Sequence, residues 1–232
     1  NLEVLSLKRL AQRIGQNAGG GAQVTLSDAG RAMALKGAMI GLRGGMKYYR
    51  SGASGAADLM GDLMVELRRG VSDATQLRLA ADQLPPEGAL AQKLYDLAAV
   101  YEEYDGRIAG KYQDGEDALR RSAQLCGQCG ELKDAYVFAD GFDVLPRTAL
   151  RLLAALGGVC REVYATFDLC AADAPDAALY DPVRFSAQTL KKMCGEGGVA
   201  CEFEALADRE LPNAELNHLS RQLFSRKPDY WM

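Results

Sequence analysis

The stretch from Tyr136 to Leu156, YVFADGFDVLPRTALRLLAAL, constrains the fold of this chain more than any other. Tyr136, Val137 and Phe138 form a short apolar run of strand formers, and Asp140 stands where such a strand ends. Leu150, Leu152, Leu153 and Leu156 then recur at helical spacing, so the pattern predicts strand, loop, helix. A carboxylate at a strand tip can hold the magnesium that bridges nucleotide phosphates, while a second acid orients the attacking water. The residue after Asp140 is Gly141, which can do neither. The same Asp-Gly pair is an ordinary turn signal in which glycine supplies a positive φ. On the sequence both readings stand.

Periodicity organises the rest of the chain. Residues 2–5 read as a strand running into a helix, and the segment from Cys160 to Leu169, CREVYATFDL, as a second buried strand ending near Asp168. From about Leu26 to Gln128 the spacing is almost only helical, broken by Gly70, by Pro85 with Pro86, and by Gly110. It predicts helices over 28–49, 55–69, 73–83, 87–108 and 115–125. Ser54 and Ser72 or Asp73 serve as N-caps, and Gly70 as a stop. Gly30, Gly37, Gly41, Gly44 and Gly45 each cost the first of these helices about 1 kcal/mol relative to Ala, so a kink or split is expected near Gly44. Tyr101 and Tyr104 share the apolar stripe of the longest helix with Leu94 and Leu97. There they can stack on bases, but core packing is the stronger expectation.

The strands at 2–5, 135–139 and 162–166 can share one parallel sheet, with the helix at 146–156 as one crossover and the helical block as the other. Beyond Asp181 a helix over 182–194, a strand over 199–203 and a final helix over 214–224 are expected. The fold class is α/β: an incomplete parallel-sheet core interrupted by a large all-helical insertion. Its parts are 1–25 and 131–170 for the core, 26–130 for the insertion and 171–232 for a small α/β tail.

Charge and cysteine usage narrow the function. With 27 basic and 31 acidic residues among 232, the net charge of -4 argues against an autonomous duplex-binding domain. Lys8, Arg9 and Arg13 cluster on the first helix, and Arg68 with Arg69 closes another. These are either phosphate contacts or solvated helix faces. No apolar run reaches the roughly 18 residues of a membrane span and no secretory leader is visible, so the cytoplasm is the default location. Cys126 and Cys129 form a C-x-x-C, which suits a redox pair or half a zinc site. No second pair exists and His218 is far away, so free thiols of a reducing compartment are expected and no metal site is assigned.

Asp-Gly-Phe-Asp after the apolar strand resembles the Asp-Glu-Phe-Gln-Asp motif of superfamily 1 helicases, with Asp140 kept and Gly141 at the Glu position. The opening segment resembles their Val-x-Thr-Phe-His-Ser-x-Ala-x-Arg segment on the single-strand DNA path, with Ser6 at the Thr position. Where active helicases carry Asp-Asp-x-Gln, the strand ending near Asp168 lacks the sensing Gln. In this order, VLSLKRLAQRI, LSDAGRAMAL, KLYDLAAVYEEYDGRIAGKYQDGEDAL, VFADGFDVLPRTALRLLAAL and ELNHLSRQLFS resemble the AddB subunit of the bacterial AddAB helicase-nuclease over nearly the whole chain.

That resemblance implies a helicase-like, P-loop NTPase-like core and a role in DNA double-strand break processing before homologous recombination. It implies a parent protein that uses ATP, magnesium and an iron-sulfur cluster, scans for the Chi sequence and pairs with an AddA-type subunit on single- and double-stranded DNA. Within this piece it implies no catalytic residue. Asp140 becomes a degenerate nucleotide and magnesium position, and Ser6, Lys8, Arg9 and Arg13 become candidate DNA contacts. A phosphate-binding loop is expected ahead of residues 2–5, and the chain opens at Asn1 without an initiator Met, so it reads as an internal piece. Two alternatives remain: part of an active helicase in which Asp143 replaces the lost acid, or a protein-interaction scaffold with no nucleic-acid role.

Overall fold

Side-chain oxygens placed just ahead of apolar runs set where many of the helices begin. The computed structural model describes residues 2–19, 24–42, 44–49, 56–70, 72–169, 177–206 and 213–223. Among them the helices are α1 (Leu7–Asn17), α2 (Asp28–Gly41), α3 (Ala56–Arg69), α4 (Ala74–Asp82), α5 (Ala89–Ile108), α6 (Gly115–Leu125), α7 (Arg147–Gly157), α8 (Asp181–Glu196) and α9 (Ala214–Gln222). Ser6, Ser27, Asp73, Asp114 and Asn213 cap α1, α2, α4, α6 and α9 by accepting a backbone N–H of the first turn. The expected cap at Ser54 lies outside the described residues.

The described residues are mostly helical, with two small parallel sheets. β1 (Val24–Thr25) pairs with β2 (Tyr112–Gln113), so the chain enters and leaves the helical block of α2 to α5 side by side. β3 (Tyr136–Ala139) pairs with β4 (Glu162–Ala165) in the register Tyr136 with Glu162 through Ala139 with Ala165, and α7 is the crossover between them.

Two apolar cores result. One lies among α2 to α5 and holds Leu35, Met60, Met64, Val100 and Tyr104. The other joins α1, α6, α7 and α8 to the inner face of the β3–β4 sheet through Ile14, Leu119, Leu150, Leu156, Ala139 and Leu190. Tyr101 and Tyr104 are buried in the first core, as packing rather than as an open platform.

Three expectations are corrected. Residues 2–5 form no strand, and β3 has no second neighbour among the described residues. Leu2 and Val4 are each 90% exposed, so alternation alone gave this segment neither a ladder nor a layer to bury against. Residues 199–203 form no strand either. Val199 instead packs on Gly157 and Gly158 at the C-terminal end of α7, and Lys191 lies over the exposed ring of Phe203. The helix expected over 28–49 ends at Gly41. There the backbone N–H groups of Lys47, Tyr48 and Tyr49 all donate to the buried carboxylate of Asp96, at 3.0, 2.7 and 2.9 Å, a set of bonds that replaces the helical ones.

Candidate functional site

In parallel sheets ligands gather beyond the carboxyl ends of the strands. Here that end is formed by Asp140 after β3 and Thr166 after β4. The Thr166 N–H donates to Ala139 O at 3.0 Å, which extends the ladder by one step, and its hydroxyl donates to the Asp140 carboxylate. The following loop is anchored by half-buried Phe142 and buried Leu145 and runs through Pro146 into α7.

Gly141 has φ +75°, and a Cβ built there meets nothing within 4 Å. The restriction is therefore backbone strain rather than crowding. A left-handed conformation costs an L-residue about 1–2 kcal/mol. The backbone at this position is thus shaped for glycine, and Asp143 and Asp168 are exposed acids near the strand ends.

Among the described residues no group of three or more Asp, Glu, His or Cys is placed to hold a metal ion. The chain also contains no Gly-Lys-Ser/Thr loop for nucleotide phosphates. One carboxylate and one hydroxyl do not by themselves fit magnesium nucleotide.

The nominated DNA residues share α1 but differ in state. The Ser6 hydroxyl accepts the Arg9 N–H and serves as the helix cap. Lys8 and Arg9 are exposed, and their side chains make no ion pair among the described residues. Arg13 is already engaged by Glu3 and by Glu131, the latter at 3.2 Å. These carboxylates, Glu131 foremost, raise its proton affinity above the ordinary guanidinium value. Among the described residues no hydrogen bond joins any of the four to Asp140, so the cationic helix face and the strand tip are separate features.

Sequence reasoning missed the polar seam between the two cores. Arg68, read as a possible phosphate contact, is only 5% exposed. Its guanidinium bridges Asp105 and Asp117 and lies 4.8 and 5.2 Å from the ring centroids of Tyr101 and Tyr104. Burial raises the Asp105 carboxyl above its usual range against the opposing pull of Arg68. Arg69 is likewise engaged, by Glu66 and Glu116.

At the same seam Asp114 accepts from Arg31 and from the Tyr104 hydroxyl, each at 3.0 Å, and burial foremost pushes that phenol up. The acidic start of α6, DGED, was the available signal: carboxylates of a first turn that face another core need cations there. A cleft of about 450 Å³ between α2 and α3, edged by Asp28, Asp58, Asp62 and Glu66, opens from the helical block and does not include Asp140.

The thiols have structural partners. Cys126 donates to Ala123 O at 3.3 Å and Cys129 to Ile14 O at 3.4 Å. Burial pushes both thiols up, and Cys160 to about 11, which disfavours the reactive thiolate. Cys170 lies outside the described residues.

Comparison with known proteins adds the family. The family model described as "ADDB, N-terminal" matches residues 1–220. The B subunit of the ATP-dependent helicase/deoxyribonuclease of Heliobacterium modesticaldum is 32% identical over 247 aligned residues, covering 99% of this chain and 20% of that protein. The protein of the same name from Symbiobacterium thermophilum is 30% identical, covering 99% of this chain and 21% of its own length. That of Acetivibrio thermocellus is 24% identical over 96% of this chain. The chain spans about a fifth of the length of these curated relatives.

Proposed function

This chain belongs to the AddB N-terminal family, and from that premise we propose that it is a non-motor, helicase-like module of a helicase/deoxyribonuclease subunit. The parent protein acts on DNA double-strand breaks, preparing ends for homologous recombination together with an AddA-type partner. Within it, this module holds the assembly and guides a DNA strand along the N-terminal turn of α1. No step of chemistry is carried here.

One observation bears most of this reading. Asp140 stands at the carboxyl end of a parallel β–α–β unit, yet the next position is a glycine with left-handed φ. A motor needs an acid there to orient water, worth roughly a hundredfold to ten-thousandfold in rate. Asp140 is the remnant of a nucleotide and magnesium position, and the sheet is part of a P-loop NTPase-like core. The parent's ATP, magnesium and iron-sulfur chemistry belongs to other parts of the assembly.

DNA guidance falls to Lys8 and Arg9 beside Ser6, because their charges are unspent among the described residues. Arg13, held by Glu3 and Glu131, is a minor contributor. The test is DNA binding by the complete two-subunit complex as salt is varied. Replacing Lys8 and Arg9 with Ala is expected to weaken binding and flatten the salt dependence by about 0.7 per lost single-strand phosphate contact. Arg13→Ala is expected to leave both nearly unchanged. Unaltered affinity and slope in the double variant would remove the guidance role and leave a protein scaffold.

A further inference from the structure

Among the described residues the β3–β4 sheet is covered on one face only. Val137, Ala139, Val163 and Ala165 point into the core with α7, while Tyr136, Phe138 and Tyr164 stand on the opposite face, half to two-thirds exposed. Phe138 and Tyr164 are register partners, and their rings stack at 5.1 Å and 7°. The Arg161 guanidinium lies 5.5 Å from the Tyr136 ring centroid. A large aromatic buries roughly 150–250 Å² in all, so at half to two-thirds exposure the three rings leave about 250–400 Å² uncovered, comparable to the largest apolar patch of a typical monomer, which is often functional.

The chemistry of the face selects its occupant. An aromatic platform for single-stranded nucleic acid needs a cationic surround that tracks the phosphates. Here Glu162 sits within the face and accepts the Tyr164 hydroxyl, while Asp134, Asp140, Asp143 and Asp168 flank the two strands and outnumber the exposed cations Lys133 and Arg161 at the strand starts. Parallel strands, by contrast, occur almost only in sheets covered by helices on both faces. In the curated relatives about four-fifths of the polypeptide lies outside the region this chain matches.

We infer that the Tyr136–Phe138–Tyr164 face is an intramolecular docking surface for an amphipathic helix from the remainder of the same polypeptide. That helix presents apolar side chains to the three rings and an acid toward Arg161. The inference rests on reading this piece as part of a larger helicase-like core, but not on DNA contact at α1.

The test uses the full-length subunit, without partner or DNA, carrying the photoreactive amino acid p-benzoylphenylalanine in place of Phe138. The expected product is an intramolecular crosslink to one apolar helix outside these 232 residues, at a yield independent of protein concentration. Hydroxyl-radical footprinting of the unaltered subunit supplies a second readout. Phe138 and Tyr164 are expected to react about tenfold more slowly than exposed Tyr48, in keeping with burial of large aromatic rings. Fast reaction of both rings would overturn the inference. So would crosslinks whose yield rises in proportion to protein concentration, or protection and crosslinks that are missing here and appear only in separate samples given single-stranded DNA or the partner subunit. Because no DNA is present, a failure here is separable from a failure of strand guidance at Lys8 and Arg9.

Discussion

The Thr148 hydroxyl, in the first turn of α7, donates a 2.9 Å hydrogen bond to the Glu116 carboxylate in the first turn of α6, and both side chains are buried. Glu116 also accepts from Arg69 at the end of α3 at 3.4 Å. Three helices thus meet through one carboxylate directly behind the loop that carries Asp140. Thr148→Val keeps the volume and leaves Glu116 short of a buried donor. It is expected to destabilise the chain by about 1–3 kcal/mol, with Thr148→Ser retaining most of the bond. The urea midpoint of each variant measures this.

Asp96 is the second buried carboxylate that shapes the backbone. It receives three successive N–H groups from residues 47–49, a segment in which the sequence pattern continued a helix. Asp96→Ala is expected to cost about 1–3 kcal/mol, since three part-buried backbone donors lose a buried charged acceptor. Hydrogen exchange at the amides of Lys47, Tyr48 and Tyr49 is expected to accelerate together, ahead of global unfolding.

What the sequence made legible was local, and what it hid was long-range. Apolar 136–139 and the leucines of 150–156 identified a strand and its crossover helix, because the period of side-chain burial is visible within one element. Asp73 and Gly70 bounded their helices for the same reason. Residues 2–5 and 199–203 alternate equally well, but a strand exists only with a ladder partner, and periodicity names none. The end of α2 depended on Asp96, about fifty positions away in sequence. Arg68 looked like surface charge because nothing near it in sequence announces Asp105 and Asp117. At the candidate site, Asp140 and Gly141 were legible as a pair. The left-handed φ of Gly141 and the hydroxyl of Thr166 on Asp140 required coordinates.

Alkaline pH tests the buried thiols. Burial raises Cys160 from 9.0 to about 11, so between these values the folded chain holds a proton that the unfolded chain has released. The folded state binds more protons in that window, and stability therefore falls as pH rises from 9.0 toward about 11. Cys160→Val is expected to flatten the decline in urea midpoint across the window. Burial also raises Cys194 to about 11, which preserves part of the slope.

On the proposed function, Asp140 is the remnant of a site rather than a working one. The direct measurement is ATP hydrolysis by the purified full-length subunit without its partner, with and without single-stranded DNA, beside its Asp140→Ala variant. Indistinguishable background rates in the two proteins are the predicted result. DNA-stimulated turnover in the unaltered subunit that Asp140→Ala abolishes would contradict it and make this chain part of a motor.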